Sequence, residues 1–368
     1  MYSEVFPSID QNELMSVIEE VGSRDVQVAL QKDQLDIKDF AALISPAADP
    51  YIEEIANKAH QLTVQRFGRT ILMYAPLYVS NYCTNGCRYC GFNHQNLMER
   101  HLLSHGQALD DAAVIASEGF RHLLLVSGED PRYVDEQYLG ELAVKLKGRF
   151  SSIGVEVQPL EESGYRHLSE CGVDSLTIYQ ETYNTELYSE VHPSGKKRDF
   201  NYRLDTPERG ALGGMRKVGL GVLLGLGNVS LDACNLALHA RYIMQNYWRT
   251  QVSVSFPRLR AAEGGFQPYD PVSDRTLLKL ICAFRLYTVD AVLVLSTRES
   301  AQFRDAVFPC GITQMSAGSK TNPGGYSSQD DTLEQFHVED SRSVAHVAAA
   351  IREQGYEAVW KDWDPLLV

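Results

Sequence analysis

The chain has 368 residues, of which 34 are Lys or Arg and 48 are Asp or Glu, so its net charge at pH 7 is −14. A balance this acidic argues against a nucleic-acid-binding surface, because the neutralisation of phosphates requires a basic stripe. Hydrophobic residues at 44% and charged residues at 22% exclude a disordered chain and predict a soluble globular protein with a large core.

Two patterns follow one another along the chain. Residues 1–65 have the pattern of polar helices, and from residue 71 short apolar runs alternate with longer amphipathic stretches. The predicted strands are Ile71–Ser80, His122–Ser127, Ile153–Gln158, Ser175–Gln180, Leu220–Leu226, Gln251–Phe256, Ala291–Leu295 and Ile312–Ser316. The predicted helices are Asp110–Glu118, Val134–Lys147, Glu161–Glu170, Thr206–Lys217, Leu231–Tyr247, Ser273–Leu286, Ser300–Val307 and Ser343–Glu353.

Strands that alternate with helices predict βαβ units and a parallel sheet, and eight such units favour a closed barrel over an open sheet. We therefore predict an α/β fold, a (βα)8 barrel of the TIM type, over residues 66–325. An N-terminal helical extension, residues 1–65, precedes the barrel, and a short C-terminal segment, residues 326–368, closes it. Polar side chains follow nearly every predicted strand, where such barrels carry their chemistry, so the sequence predicts an enzyme.

Three of the seven cysteines lie in one short segment after the first predicted strand: Cys83, Cys87 and Cys90. Three thiolates this close can hold three corners of an iron–sulfur cube and leave the fourth iron open. Two alternatives stay open at this point, a zinc ion held by these cysteines and His94, or three unrelated thiols. Tyr89 favours the cluster, because an aromatic ring beside the open iron could stack on an adenine.

The spacing Cys-x3-Cys-x2-Cys, with an aromatic residue before the last cysteine, resembles the signature of the radical S-adenosylmethionine (SAM) family. In that family the open iron of a [4Fe-4S] cluster binds SAM, and reductive cleavage of SAM gives a 5′-deoxyadenosyl radical. The resemblance implies a (βα)8 barrel of the radical SAM class. It also implies that Cys83, Cys87 and Cys90 hold the cluster.

The resemblance extends to the SAM site. The family usually has Gly-Gly-Glu after the second strand, where it holds the SAM amino group, and here Ser127 replaces the first glycine. Gly128 and Glu129 match, so the resemblance assigns them to SAM. It also places Tyr89 in the SAM site, and we expect Gln180, at the end of the fourth predicted strand, to contact the SAM ribose.

From about residue 40 to the end, segments resemble those of the 2-iminoacetate synthases, the tyrosine lyases of thiamine biosynthesis. Examples are Ile178-Tyr-Gln-Glu-Thr-Tyr and Leu295-Ser-Thr-Arg-Glu-Ser. The resemblance implies cleavage of the Cα–Cβ bond of L-tyrosine to 2-iminoacetate (dehydroglycine) and p-cresol, after removal of a hydrogen from the amino nitrogen, with SAM giving 5′-deoxyadenosine and methionine. The alternatives are a radical SAM lyase of another aromatic amino acid, such as tryptophan, or a non-catalytic metal- or cluster-binding protein.

A tyrosine carboxylate needs a fixed cation, and Arg298 follows the seventh predicted strand. A guanidinium binds a carboxylate through two parallel hydrogen bonds, which makes Arg298 the candidate. Ser296, and Ser316 on the eighth strand, could add hydrogen bonds. Tyr179, Gln180 and Glu181 end the fourth strand, where they are expected to contact the SAM ribose or the substrate, and Tyr179 is assigned to the substrate. The alternative for Tyr179 is packing within the barrel. The alternative for Arg298 is an exposed ion pair with Glu299, which would contribute little.

The remaining expectations concern partners and compartment. The resemblance implies thiazole synthase ThiG as a partner and an external one-electron reductant of the flavodoxin or ferredoxin type. Apolar runs stay short of the roughly 18 residues of a membrane helix, and the N-terminus lacks a signal pattern, so we expect no membrane contact and a cytoplasmic protein. A basic run, His192–Phe200, could cover the site, help to admit an anionic cofactor, or be a solvated loop. No second cluster is expected, because the other cysteines fall in predicted helices or before strands: Cys171, Cys234, Cys282 and Cys310.

Overall fold

The computed structural model describes residues 1–259, 265–327 and 334–362. Helices come first in the chain: α1 (Tyr2–Val5), α2 (Gln11–Glu20), α3 (Ser23–Gln31), α4 (Ile37–Ile44) and α5 (Ile52–Phe67). Their starts follow local rules, since the carboxylate of Asp10 caps α2 and that of Asp36 caps α4. The ring of Tyr2 stacks on that of His239, with centroids 4.0 Å apart. The N-terminal helices are therefore packed onto the rest of the protein.

Eight parallel strands form the closed barrel that the sequence predicts. They are β1 (Thr70–Ser80), β2 (His122–Ser127), β3 (Ser152–Glu156), β4 (Ser175–Thr177), β5 (Lys217–Gly221), β6 (Gln251–Ser255), β7 (Val292–Leu295) and β8 (Gln314–Ser316). Each strand pairs with the next one along the chain, and β1 pairs with both β2 and β8, which closes the barrel.

Helices connect the strands on the outside. They are α6 (His105–Ser117), α7 (Glu136–Leu146), α8 (Glu162–Cys171), α9 (Thr185–Val191), α10 (Phe200–Leu204), α11 (Thr206–Leu212), α12 (Val229–Asn246), α13 (Asp274–Tyr287), α14 (Ala301–Val307) and α15 (Val344–Glu353). Short 3-10 helices cover Phe6–Ser8, Pro46–Tyr51, Lys196–Arg198 and Phe308–Cys310. Within the described ranges, no helix has both the length and the apolar character that crossing a bilayer requires.

Several predicted boundaries were wrong, among them the start of the helix predicted at Asp110, which begins at His105. The helix predicted to reach Lys217 ends at Leu212, because two glycines follow it and Gly214 has a φ of +92°. Strand β5 therefore begins at Lys217, three residues earlier than predicted, and the residues after Gly221 form its exit. Strand β4 is also shorter than predicted, since Glu181 turns the chain with a φ of +70°.

A ninth strand, β9 (Glu357–Val359), was not predicted. It pairs in parallel with the first residues of β1, Thr70 to Leu72. Asp362 then places its Oδ1 atom 2.9 Å from Nε2 of His122, the first residue of β2. Residues 357–362 of the C-terminal segment thus cover the N-terminal end of the barrel. Residues 328–333 and 363–368 of this segment lie outside the described residues. The predicted divisions after residues 65 and 325 stay predictions.

Candidate active site

A cavity of about 920 Å³ opens at the C-terminal ends of the strands. The segment after β1 and the ends of β2, β3, β4, β6 and β7 all contribute to its wall. Its polar and sulfur-bearing residues are Cys83, Asn85, Cys87, Tyr89, Cys90, Ser127, Glu129, Glu156, Tyr179, Glu181, Lys197, Arg203, Arg298 and Gln335. The cavity lies at the end of the barrel where the sequence predicted the chemistry.

The three cysteines of the motif share this cavity. Cys87 is buried, and Cys83 and Cys90 are half-buried. Burial raises the pKa of Cys83 to about 11 and also raises the pKa of Cys87 and Cys90. Three adjacent thiols would therefore keep their protons at neutral pH unless a metal replaced them, since a coordinating thiol loses its proton. This donor set fits an iron–sulfur cluster.

The structure does not support the alternative of a zinc ion held by the three cysteines and His94. His94 is exposed to solvent and does not line the cavity, unlike the three cysteines. In the described part of the chain, no three His, Cys, Asp or Glu side chains come close enough to share a single metal ion.

The exit of β2 packs tightly on the cysteine segment. A Cβ atom at Gly128 would lie 2.3 Å from the carbonyl oxygen of Tyr82, so only glycine fits. The side chain of Thr84 donates to the carbonyl oxygen of Glu129 at 3.0 Å, and Asn85 Nδ2 donates to Glu129 Oε2 at 2.8 Å. The hydroxyl of Ser127 is buried and has no hydrogen-bond partner among the described residues. It is free to bind a cofactor in the cavity.

Buried ion pairs form one wall. Arg203 Nη1 lies 2.8 Å from Glu129 Oε1, and Lys197 Nζ lies 2.7 Å from Glu181 Oε1. Arg203 also approaches Glu181, at 3.9 Å. Burial acts to raise the pKa of Glu129, but the nearby positive charges, first that of Arg203, outweigh burial and lower the pKa below its usual value. The carboxylate is therefore ionised. The sequence analysis named neither Arg203 nor a role for Lys197, although the basic run around Lys197 was a signal.

The structure separates Gln180 from the other predicted SAM residues. Its side chain is buried outside the cavity, where Nε2 donates to the carbonyl oxygen of Phe200 at 3.4 Å. Tyr179 and Glu181 line the cavity instead. Neighbouring residues of an extended segment point to opposite sides, so Tyr179 and Gln180 could not both face the site. The expected contact of Gln180 with SAM therefore has no support in the geometry.

A second cavity, of about 670 Å³, lies deeper in the barrel and is partly bounded by the same residues. The four predicted substrate residues all line it: Tyr179, Ser296, Arg298 and Ser316. The guanidinium of Arg298 stacks on Phe336, with Cζ 3.5 Å from the ring centroid. Burial lowers the pKa of Arg298.

The surface ion pair considered for Arg298 is not present. Arg298 is half-buried and has no ion pair with an acid among the described residues, and its Nη1 reaches only the carbonyl oxygen of Arg258 at 3.5 Å. Glu299 is buried and binds Arg258 instead. The half-buried Arg298 cation thus has no ion-pair partner among the described residues, so a carboxylate ligand would stabilise it.

Glu156 lies at the end of β3 and lines both cavities, together with Tyr179 and Arg298. Burial and the nearby charge of Glu181 raise its pKa to about 7, against the opposing effect of Arg298. A carboxyl group that titrates near neutrality in a cleft is suited to proton transfer. Glu156 was not among the residues predicted from the sequence, although a glutamate within an apolar strand was a signal.

Comparison with known proteins agrees with this geometry. The radical SAM superfamily model matches residues 77–233, and that of the Biotin and Thiamin Synthesis associated domain matches residues 255–357. The 2-iminoacetate synthase of Escherichia coli (strain K12) is 44% identical over 367 residues, which cover 100% of this chain and 97% of that protein. The chain belongs to the 2-iminoacetate synthase family. The 2-iminoacetate synthase of Salmonella typhimurium is also 44% identical, over 93% of this chain and 91% of that protein.

Membership of the 2-iminoacetate synthase family confirms the predicted radical SAM enzyme, its function of forming 2-iminoacetate, and its cofactors, a [4Fe-4S] cluster and SAM. A crystal structure of HydG, a maturase of the [FeFe]-hydrogenase, superposes with a TM-score of 0.91 at 30% identity over 96% of this chain and 81% of that chain. The predicted barrel is thereby confirmed. The four cysteines outside the motif do not line the site cavity: Cys171, Cys234, Cys282 and Cys310.

Proposed function

We propose that this enzyme cleaves the Cα–Cβ bond of L-tyrosine, and that it does so with the amino acid held in the deeper cavity by Arg298. The observation that carries the proposal is the half-buried guanidinium of Arg298, which forms no ion pair with any described residue and lines both the cysteine cavity and the substrate cavity. An amino acid offers the missing carboxylate. Its side chain can extend along the walls of the deeper cavity, which include the aromatic rings of Tyr74, Tyr78, Tyr179, Phe256 and Phe336.

We assign the cluster to Cys83, Cys87 and Cys90, and part of the SAM site to Ser127 and Glu129. When bound there, the [4Fe-4S] cluster and SAM supply a 5′-deoxyadenosyl radical. The unpartnered hydroxyl of Ser127 supports its contact with SAM. Glu129 is ionised, and it can add one further hydrogen bond to an ammonium group beside those from its two protein partners.

Tyr89 and Gly128 complete the proposed SAM site. The Tyr89 hydroxyl is fixed by Nε2 of His192 at 2.8 Å, so its ring is held in place at the cavity wall. Burial lowers the pKa of His192 to about 2, which keeps that imidazole neutral. A fixed aromatic face is suited to stacking on an adenine. Gly128 contributes backbone atoms that no side chain screens.

Within the deeper cavity, each proposed substrate residue has a distinct part. Arg298 binds the tyrosine carboxylate. The hydroxyl oxygen of Ser296 accepts from the backbone N–H of Arg298 at 3.4 Å, so this hydroxyl lies at the same end of the ligand. Ser316 Oγ accepts from the Thr297 N–H at 3.1 Å, which leaves its own proton to donate. Tyr179 lies at the junction of both cavities.

We assign proton acceptance to Glu156. Bound tyrosine enters with an ammonium group, and removal of a hydrogen atom from that nitrogen requires the neutral amine. Glu156 and Arg298 line the same two cavities, so an amino acid whose carboxylate binds Arg298 can present its ammonium group to Glu156. With a pKa of about 7, the ionised Glu156 can take the ammonium proton at neutral pH.

We also propose that thiazole synthase ThiG consumes the imine and that a flavodoxin- or ferredoxin-type protein supplies the electron. The instability of a small imine in water supports direct use by a partner. A cytoplasmic location is proposed because the described cysteines are all free thiols, as is usual in a reducing compartment.

Substrate choice tests the proposal. The enzyme is reconstituted anaerobically with iron and sulfide and given SAM, reductant and either L-tyrosine or L-tryptophan. We expect p-cresol from tyrosine and no 3-methylindole from tryptophan. The reverse preference would favour the tryptophan alternative, and a well-loaded cluster that yields neither product would overturn the lyase assignment.

A further inference from the structure

A third cavity, of about 470 Å³, lies inside the barrel below the substrate cavity. The two cavities share residues of their walls, Tyr74, Tyr179 and Ser255 among them. Five residues of the third cavity are the first residues of their strands: His122, Ser152, Ser175, Lys217 and Gln314. This space, the lower barrel cavity, therefore lies toward the end of the barrel opposite to the cysteines.

Lys217 places a buried ammonium group in this cavity. Its Nζ atom donates to the amide oxygen of Gln314 at 3.2 Å, and no acid of the described residues lies within ion-pair distance of it. The two carboxylates that attract Lys217 are each bound to another side chain, Asp174 to Arg216 at 2.7 Å and Asp362 to His122 at 2.9 Å. Burial lowers the pKa of Lys217, against the attraction of Asp174. A buried ammonium with only a neutral partner is costly, so an anionic ligand would stabilise it.

His122 gives an independent indication of a ligand in the same place. Its side chain is only 3% exposed, and its Nδ1 atom has no hydrogen-bond partner among the described residues. On the other side of the ring, Nε2 lies 2.9 Å from the carboxylate of Asp362, which fixes the imidazole. Hydroxyl groups complete the wall, including those of Thr177 and Ser253. Lys217, Thr177 and Ser253 thus bring hydrogen-bond donors to a space whose described lining includes no carboxylate.

We propose that the lower barrel cavity binds a small monocarboxylate, and that its occupant is the 2-iminoacetate formed above it. This inference rests on the proposed function. Of the two products of tyrosine cleavage, p-cresol is neutral and only 2-iminoacetate carries the anion that Lys217 lacks. Methionine also has a carboxylate, but its ammonium group would face Lys217 and His122 without an acid to bind it. 2-Iminoacetate carries a carboxylate, unlike p-cresol, and has no ammonium group, unlike methionine.

Glyoxylate, the aldehyde that corresponds to 2-iminoacetate, is a stable probe. Cluster-loaded enzyme, without SAM or tyrosine, is incubated anaerobically with glyoxylate and cyanoborohydride. A lysine amine condenses with the aldehyde and releases water, and cyanoborohydride then delivers hydride to the imine while solvent supplies a proton. Peptide mass spectrometry locates and quantifies the carboxymethylated lysines, and the exposed Lys145 serves as the internal reference.

We expect labelling of Lys217 to saturate with glyoxylate, whereas labelling of Lys145 rises in proportion to concentration. Acetate, a monocarboxylate without an aldehyde, should protect Lys217 and not Lys145. The substitution His122→Asn should raise the half-saturating concentration about tenfold, the value of one hydrogen bond to a charged group, and iron loading of this variant shows that it folds.

The anion site would be overturned if Lys217 were not labelled, if its labelling rose linearly with glyoxylate, or if acetate did not protect it. Only a water-filled cavity would then remain. Because the trapping uses neither SAM nor tyrosine, such a result would not touch the cleavage reaction. Saturable trapping in an enzyme that makes no p-cresol would support the anion site while overturning the proposed function.

Discussion

Arg203 Nη1 lies 2.8 Å from Glu129 Oε1 in the wall of the site. The other oxygen of this carboxylate accepts from Asn85, so the contact joins α10, the exit of β2 and the cysteine segment. The carboxylate assigned to SAM is thus oriented before any ligand binds. We regard Arg203 as a positioning residue for Glu129.

Replacement of Arg203 by Gln should destabilise the protein and weaken SAM binding. The change leaves the buried carboxylates of Glu129 and Glu181 without the guanidinium, and loss of one partner of a buried pair costs about 3 kcal/mol. Denaturant unfolding and equilibrium binding of SAM measure the two effects. Arg166→Gln, which breaks an exposed pair with Glu162, is the matched control and should change stability by about 0.5 kcal/mol or less. Equal effects of the two substitutions would contradict the role given to Arg203.

Gly128→Ala should reduce cluster loading. Its new Cβ would meet the Tyr82 carbonyl oxygen at 2.3 Å and displace the start of the cysteine segment. Iron and sulfide content after anaerobic reconstitution is the measurement. Gly106→Ala is the control, because that Cβ would meet nothing closer than 3.8 Å within a helix. Full iron content in Gly128→Ala would show that the packing is not needed.

Glu156→Gln should slow tyrosine cleavage by about 100-fold, the usual contribution of a general base, while SAM binding stays unchanged. In the unmodified enzyme the rate should rise with pH as Glu156 ionises around pH 7, and the variant should lose this rise. An identical pH profile in both proteins would exclude Glu156 as the proton acceptor.

Glu156 should also leave a signature in stability. Its pKa is raised from 4.5 to about 7 in the folded state, so the folded protein binds this proton more tightly than the unfolded chain does. The free energy of unfolding therefore falls as pH rises from about 4.5 to about 7. Denaturant unfolding across this range should show a shallower fall in Glu156→Gln, and an unchanged slope would contradict the burial argument.

Arg298→Met should raise the tyrosine concentration needed for half-maximal rate by about 100-fold, because two charge-assisted hydrogen bonds to the carboxylate are lost. SAM binding should be intact. Arg298→Lys is the conservative control and should recover part of the affinity through its charge, without the paired geometry. Equal tyrosine affinity in Arg298→Met and the unmodified enzyme would refute the carboxylate role.

Much of the fold could be read from the sequence, because alternating apolar runs and local spacing are short-range signals. The cysteine motif is such a signal, and the segment after β1 does bring Cys83, Cys87 and Cys90 to one cavity. Strand β5 was misplaced because an apolar run longer than the strand does not mark where pairing begins. The strand predicted at β4 extended to Gln180 and gave no sign of the turn at Glu181. It therefore could not show that Glu181, and not Gln180, lines the cavity.

The ion pairs of the site and the raised pKa of Glu156 could not be predicted in the same way. Arg203 and Glu129 are 74 residues apart in sequence, and only the closed barrel brings their side chains together. Glu156 is ordinary in sequence, and its raised pKa arises from burial among residues of other strands. Lys217 could not be recognised as a strand residue that faces the barrel interior, because the sequence pattern predicted it as the last residue of a helix.

The most direct test of the central claim uses ¹³C-labelled L-tyrosine with cluster-loaded enzyme, SAM and reductant under anaerobic conditions. The account predicts equal amounts of p-cresol, 5′-deoxyadenosine and ¹³C-glyoxylate, the last from hydrolysis of 2-iminoacetate. Cys87→Ala, prepared in parallel, should yield none of the three. Formation of 5′-deoxyadenosine without p-cresol and labelled glyoxylate, in a well-loaded enzyme saturated with tyrosine, would contradict the account.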